Sequence, residues 1–381
     1  MANAQQNRNA AMFFSEVTVG SETILQTELF DLVITSELDH PDMCAITLSK
    51  VGAAAHSSKI KATDPFTVKV GHENDKMDQA FIGELTGIEP VFSNTGKAGG
   101  NVVIRGLNAL HALSRGKRSC AYAKDEGVTD KDIIDQVLQR NSALKLTADY
   151  GKEEPKIKYP HVYQHNQTDL EFIRHRASRT GRHLLVRDKK LLLQELDLTP
   201  SGLQLVLNLP RQTTDEKNQK LALERFAPSV STASQVTQVQ VRCFNPETRK
   251  ELIGIAPAQS SGSSSFAPKD GKSAISEKYP DSVVVRTDIP FSSKEEGDAI
   301  AASILKERKL SYVQASGSVP GDPRLKPGLV VELVTGDARC DGKYFLTWVR
   351  HSYRSAGEDA RFMTDFRAKR DGTESDAQPA A

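Results

Sequence analysis

The chain lacks most of what would tie it together covalently or give it a reactive centre. Its 381 residues include four cysteines, Cys44, Cys120, Cys243 and Cys340, far apart and without CxxC spacing. That pattern excludes a disulfide framework and fits isolated thiols of a reducing compartment. Neither sign of charge is in excess, with 50 Lys+Arg against 49 Asp+Glu. A dedicated nucleic-acid binder would show a strong basic surplus, and the one basic knot, Arg115-Gly116-Lys117-Arg118, reads as a solvated loop. No apolar run approaches the ~20 residues that span a bilayer, so no membrane insertion is expected. The polar start, Met1–Ala11, has no hydrophobic centre of the signal-peptide kind. The chain is expected to be made and folded in the cytoplasm, and to leave a cell only as part of a larger object.

Catalytic signatures are missing as well. There is no GxxxxGK[ST] phosphate loop, no GxSxG elbow and no HExxH. His161 and His165 would share a helical face as metal ligands, but Pro160 and Val162-Tyr163 favour an extended chain. His175 and His183 flank a predicted helix stop, where histidine suits the helix dipole. The same dipole accounts for Glu295-Glu296 and for Asp169 and Glu171 in first turns, while Glu153-Glu154 lies in a Lys-rich loop. Trp348, with Tyr344 and Leu346, reads as the apolar core face of a strand rather than a ligand platform. Cys243 reads as a small buried hydrophobe in an alternating strand. No catalytic, cofactor-binding or metal-ligating residue is nominated.

What is present is alternation. Phe66, Val68 and Val70 alternate with polar residues, as do Val102 and Ile104, and turn clusters separate such runs through residues 12–113. This predicts an antiparallel sandwich or barrel, with Gly83 and Gly87 marking a bulge or strong curvature within one strand. Residues 114–212 change character. Thr129-Asp130-Lys131-Asp132 starts a capped helix with Ile133, Ile134, Val137 and Leu138 inward, and strand-like Leu184–Arg187 and Leu191–Glu195 follow. The β signal returns over 213–371, with a Ser/Gly-rich stretch (Gln259 to Phe266) and a helical excursion within 258–309. A helix there is framed by Ser293 and Glu296 as a capping box. Phe362, Thr364 and Phe366 share one strand face. Polar tails occupy 1–11 and 372–381 and are expected to be mobile.

The best-formed motif runs Tyr163-Gln164-His165-Asn166-Gln167-Thr168-Asp169-Leu170-Glu171-Phe172-Ile173 and closes at Gly181. Thr168 and Glu171 form a capping box. Leu170, Ile173 and Ala177 share a helical face, and Gly181 supplies the left-handed stop. A second motif, Gly321-Asp322-Pro323-Arg324-Leu325-Lys326-Pro327-Gly328, precedes Gly342-Lys343-Tyr344, His351 and the Phe362–Phe366 strand. In content, order and spacing these segments resemble the phage late control protein D and VgrG family, the central hubs of contractile injection machines. The resemblance covers about residues 12–370. Its matching positions are Tyr163, Gln164, Thr168, Asp169, Phe172, Gly181, Pro327, Gly328, Gly342, Tyr344 and His351.

The resemblance implies a mainly β fold: two β-barrel, tube-like domains plus a small α/β insert, assembled as a homotrimeric ring. Such a ring adapts a hexameric inner-tube protein to a trimeric spike among other baseplate proteins. No spike or needle region follows Phe366, so a separate spike polypeptide is expected, in a phage tail, a tailocin or an extracellular phage-tail-like particle. The alternatives are a cell-wall-degrading tail enzyme, which would need two poised carboxylates around a cleft, and a stand-alone carbohydrate- or protein-binding β module.

Overall fold

The computed structural model describes residues 13–72, 77–90, 102–195, 199–209, 219–245, 248–258, 269–355 and 361–373. The Ser/Gly-rich Gln259–Phe266 stretch, the tail 1–11 and residues 374–381 of the expected tail 372–381 lie outside them, whereas Gly372–Thr373 of that tail form a short strand paired with Lys269–Asp270. The protein is mainly β, and its strands build two curled β units joined in one large sheet.

The first unit contains β1 (Phe13–Val19), β2 (Glu22–Ile24), β3 (Leu29–Glu37), β4 (Met43–Leu48), β5 (Pro65–His72), β6 (Asp78–Pro90) and β7 (Val102–Leu107), with a short helix α1 (Lys50–His56) after β4. The spatial order is β2-β1-β5-β6-β7-β4-β3. Period-two alternation places Val17, Val19, Ile34, Ile46, Phe66, Val68, Leu85 and Ile104 in one core. The expected curvature is found in β6, whose pairing with β7 slips between Leu85 and Gly87. Gly83 is required for close approach, because a Cβ there would lie 2.2 Å from the Leu107 carbonyl oxygen.

The insert starts with α2 (Ala109–Ala112), β8 (Arg118–Thr129), α3 (Asp130–Arg140), β9 (Thr147–Asp149) and β10 (Lys158–Gln167). It continues with α4 (Asp169–Arg179), β11 (Arg182–Arg187) and β12 (Lys190–Glu195). Helices α3 and α4 bury Ile133, Ile134, Val137, Leu170, Phe172, Ile173 and Ala177 against the β8–β10 ribbon and the β9/β11/β12 sheet.

The second unit contains β13 (Pro200–Leu207), β14 (Lys220–Leu223) and β15 (Arg225–Val230). A lobe follows, made of β16 (Gln238–Asn245), β17 (Lys250–Pro257), β18 (Lys269–Asp270), α5 (Gly271–Ile275), β19 (Val283–Arg286) and α6 (Lys294–Leu310). The chain ends in β20 (Val313–Pro320), β21 (Val330–Val334), β22 (Gly342–Arg354), β23 (Arg361–Arg370) and β24 (Gly372–Thr373). Two boundaries differ from the sequence reading. Pro200–Leu207, inside the span read as insert, pairs with β14 and β21 of the second unit. Val239 and Val241, read as second-unit strand, lie in a separate three-stranded sheet that packs on α6 with its own core.

In the second unit the pairing forms a closed circuit. β13 pairs β14, β15 pairs β20, β20 pairs β23, β23 pairs β22, β22 pairs β21, and β21 returns to β13. β14 and β15 are one bent strand, since only Glu224 separates them and its N–H donates to the Ser318 carbonyl at 2.9 Å. The units meet along β22. Its first residues pair β21, and Trp348–Arg354 pair Glu37–Asp31 of β3.

Trp348 departs from the core position expected of it. A bulge between Leu346 and Trp348 shifts the strand's parity by one. Tyr344 and Leu346 are fully buried, and Val349, His351 and Tyr353 take the inward positions afterwards. Trp348 is left half-buried, with the Arg367 guanidinium 4.8 Å from its ring.

Candidate functional site

The Tyr163–Gly181 motif builds a buried polar latch. Thr168 caps α4 by accepting the Glu171 N–H at 3.1 Å, and Glu171 returns the favour at the Thr168 N–H at 2.9 Å. This fixes Asp169 in the first helical turn, where its charge suits the dipole. The Asp169 side chain is 4% exposed and takes Arg140 Nη2 at 2.6 Å on one oxygen and Asn141 Nδ2 at 2.8 Å on the other. Gln164, on β10, donates to Asp169 at 3.1 Å and accepts from Arg140 at 2.9 Å and from the Tyr122 hydroxyl at 3.1 Å. The Tyr122 ring stacks on Phe172 with centroids 5.5 Å apart. Burial works against the Asp169 charge, but the hydrogen bonds from Arg140, Gln164 and Asn141 outweigh it and hold the carboxyl below its usual range.

The same architecture recurs at the other end of the helix pair. Asp130, in the first turn of α3, takes Arg176 Nε at 2.6 Å and the Tyr159 hydroxyl at 3.0 Å. The Arg176 guanidinium also lies 4.2 Å from the Tyr159 ring centroid. Burial and the Asp130 charge push the Tyr159 phenol upward, so it remains a donor. Thus α3 and α4 lie antiparallel, each placing an N-terminal aspartate against a C-terminal arginine of the other. Both pairs complement both helix dipoles.

The C-terminal motif residues strap the second unit. Pro327 accepts Arg187 Nη2 of the insert at 2.6 Å through its carbonyl. Gly328 (φ +86°) donates to the Leu346 carbonyl at 2.8 Å, and a Cβ there would sit 3.0 Å from Leu185 Cδ1. Gly342 and Tyr344 cradle Arg370, a fully buried arginine at an inward position of β23. Its guanidinium stands 5.2 Å from the Tyr344 ring and donates to the Asp341 carbonyl at 2.5 Å. His351 Nδ1 is 2.9 Å from Thr364 Oγ1, which accepts the Asp322 N–H at 2.9 Å. Burial lowers His351 to about 4 and keeps it neutral.

The motif residues therefore fall into two groups, one at the insert latch and one in the second unit. Tyr163 belongs to neither: it is 54% exposed on β10, beside His165. His161 and His165 lie exposed on the same strand. His183 does not serve the helix end; its Nδ1 meets Asp39 Oδ2 at 2.6 Å, docking the β3–β4 hairpin on the insert. The Ser293–Glu296 box is half made. Ser293 accepts the Glu296 N–H at 3.2 Å, but the Glu296 carboxylate turns to the Ser292 N–H at 2.9 Å and to Arg179.

Sequence reasoning missed Asp130, Arg140, Arg176, Arg179 and Arg370 as partners. The signal for the first three was the pattern of aspartate opening and arginine closing both helices. Arg370 could be found only by continuing the inward alternation Thr364, Phe366, Ala368 by one more step.

Two surface clefts, of about 500 and 680 Å³, lie in the α6 lobe away from the motifs. Among the described residues no group of three or more His, Cys, Asp or Glu converges to hold a metal, and no helix is long and apolar enough to cross a membrane. The arrangement fixes elements relative to one another, and the buried Asp169 carboxylate is held by Arg140, Asn141 and Gln164 in doing so.

This fold is shared with solved tail proteins. A tail protein from Neisseria meningitidis MC58 superposes with a TM-score of 0.66 at 14% identity, covering 95% of this chain and 97% of that one. The 43 kDa tail protein of prophage MuSo2 from Shewanella oneidensis gives 0.66 at 13% identity, covering 93% and 98%. An E. coli protein described as a component of the type VI secretion system, with structural similarity to T4 bacteriophage tail proteins, gives 0.56 at 16% identity, covering 96% and 79%. At such identities the likeness establishes the fold, and it falls among tail and secretion-machine proteins. The chain belongs to the Alg8 N-terminal domain family, whose profile matches residues 15–355. No curated protein matches it.

Proposed function

We propose that this chain is a structural hub of the baseplate of a contractile injection system, in the manner of late control protein D and VgrG. The observation that carries the reading is the pair of β units joined edge to edge along β22, within a fold matched over more than nine-tenths of the chain by tail proteins. Three copies of a chain with two such units present six β units to a hexameric inner tube. The opposite end keeps threefold symmetry for a trimeric spike. The first β unit is built from β1–β7 and the second from β13–β15 and β20–β23, with the insert between them and the α6 lobe set into the second. The chain acts as a structural part, and its best-formed motif serves packing: Asp169 is held by Arg140, Asn141 and Gln164 inside the insert. Its partners are two further copies, the tube protein, the spike and other baseplate proteins. It is made in the cytoplasm and carried in an assembled particle that can be released from the cell.

Native mass spectrometry with negative-stain imaging tests this. A homotrimer with a central opening that binds its tube protein is the expected result. A monomer that neither forms rings nor binds the tube protein would overturn the reading.

A further inference from the structure

The insert and the α6 lobe hang from different parts of the large sheet, yet one buried contact ties them. Arg179, at the C-terminus of α4, pairs with Glu296, in the first turn of α6, 117 residues away. Their side chains are 7% and 4% exposed. The same guanidinium nitrogen donates to the Pro290 carbonyl at 2.7 Å. The other Glu296 oxygen accepts from the Ser292 N–H at 2.9 Å and its hydroxyl at 3.1 Å, so the carboxylate is fully used. Beside the pair, Ser303 of α6 donates its hydroxyl to the Ser178 carbonyl at 2.9 Å, satisfying an end of α4. Gly181 (φ +71°) passes under Ser303, where a Cβ would lie 3.3 Å from its oxygen. Arg179 Nε is buried without a partner. A contact selected for strength alone would not leave a charged donor buried and unpaired.

We propose that the Arg179–Glu296 clasp selects a single docking register between the insert and the α6 lobe, making them one rigid bracket. The physical basis is an asymmetry. A buried ion pair adds little net stability over well-packed apolar residues, but any docking that buries one charge without the other is heavily penalised. Alternative registers of the two lobes are thereby excluded while the correct one is only modestly favoured. Helix α4 then acts as a strut. Its first turn is fixed to α3 by Asp169–Arg140, its third by Arg176–Asp130, and its end to α6 by the clasp. The inference concerns the single chain and does not depend on the hub reading.

The test places spin labels, carried by an unnatural amino acid, at the exposed Arg174 and Lys250 of the full chain. Inter-lobe distances are measured by pulsed electron resonance in the native clasp and in the double variant Arg179→Met/Glu296→Met. The native chain should give one narrow distance. The double variant should keep its thermal unfolding midpoint within a few degrees while the distance distribution broadens at least twofold or splits. Arg179→Met alone, which leaves Glu296 without its partner, should shift the distribution to longer distances and raise protease cleavage between the lobes. A double variant with an unchanged narrow distance overturns the proposal. So does a double variant that unfolds as readily as the single one, since the pair would then serve stability and not register.

Discussion

The two β units solve the same problem differently. The second closes its backbone pairing into a circuit through the bent strand β14–β15. The first stays open: among the described residues no backbone pairing joins β1 or β2 to β3 or β22. Its gap is spanned by side chains. Gln26 accepts the Ser15 N–H at 3.4 Å and donates to the Tyr353 hydroxyl at 3.3 Å, and Tyr353 enters the first unit's core from β22. The outer edge of β3 is covered by that same strand. The first unit is thus completed by the second, and the reverse does not hold. An open edge is a liability unless something covers it, and here one long strand covers it from within the chain.

The sharpest way to break this comparison is to damage the closed unit. Phe366→Ala removes a side chain that is 1% exposed in the second core and should cost about 3–5 kcal/mol. Calorimetry should show one transition moving down for both β units, because β22 serves both. Two transitions, with the first unit unmoved, would mean that it stands alone.

Next in size is Asp169→Ala, which strands Arg140 in the latch and should cost about 3 kcal/mol. Hydrogen exchange should rise in α3 and α4 while the strands of the second unit keep their protection. Loss of protection there too would make the insert part of the same cooperative unit as the barrel circuit.

A pH experiment separates the units further. His351 is neutral in the fold, held to about 4, whereas in the unfolded chain it charges near 6.5. Between those values the unfolded chain binds the extra proton. The contribution of His351 is therefore complete above about pH 6.5 and lost as pH falls toward 4, by at most roughly 3 kcal/mol. Urea midpoints against pH should flatten over that window in His351→Gln. An unaltered slope would show that His351 is not the titrating group.

The smallest effect is expected at the open seam. Gln26→Ala should cost about 1 kcal/mol and speed exchange at β1 alone. Faster exchange in β20 and β23 would contradict the independence of the closed circuit.

Much of this was legible because it is local. Thr168, Glu171 and Gly181 mark a helix by chemistry that acts within a few residues, and the alternation of Phe66, Val68 and Val70 needs only a pleated strand with one buried face. Trp348 was misplaced because a bulge inverts parity without any signature in composition. The latch was half visible: Asp169 and Gln164 lie in the motif, but Arg140 and Asn141 reach them from another helix, and sequence spacing carries no information about which helix ends meet.

The amino-acid sequence by itself determined the mainly β class, the capped helices of the insert, and the absence of any recognisable catalytic or membrane-spanning motif. These follow from side-chain periodicity, backbone propensity and residue type, all short-range properties. Only the tertiary structure decided that the second unit closes while the first borrows β22, that α3 and α4 exchange ion pairs, and that Arg179 finds Glu296. Those outcomes depend on which edges and charges are left over after local structure forms, and on the cost of burying any of them unpaired.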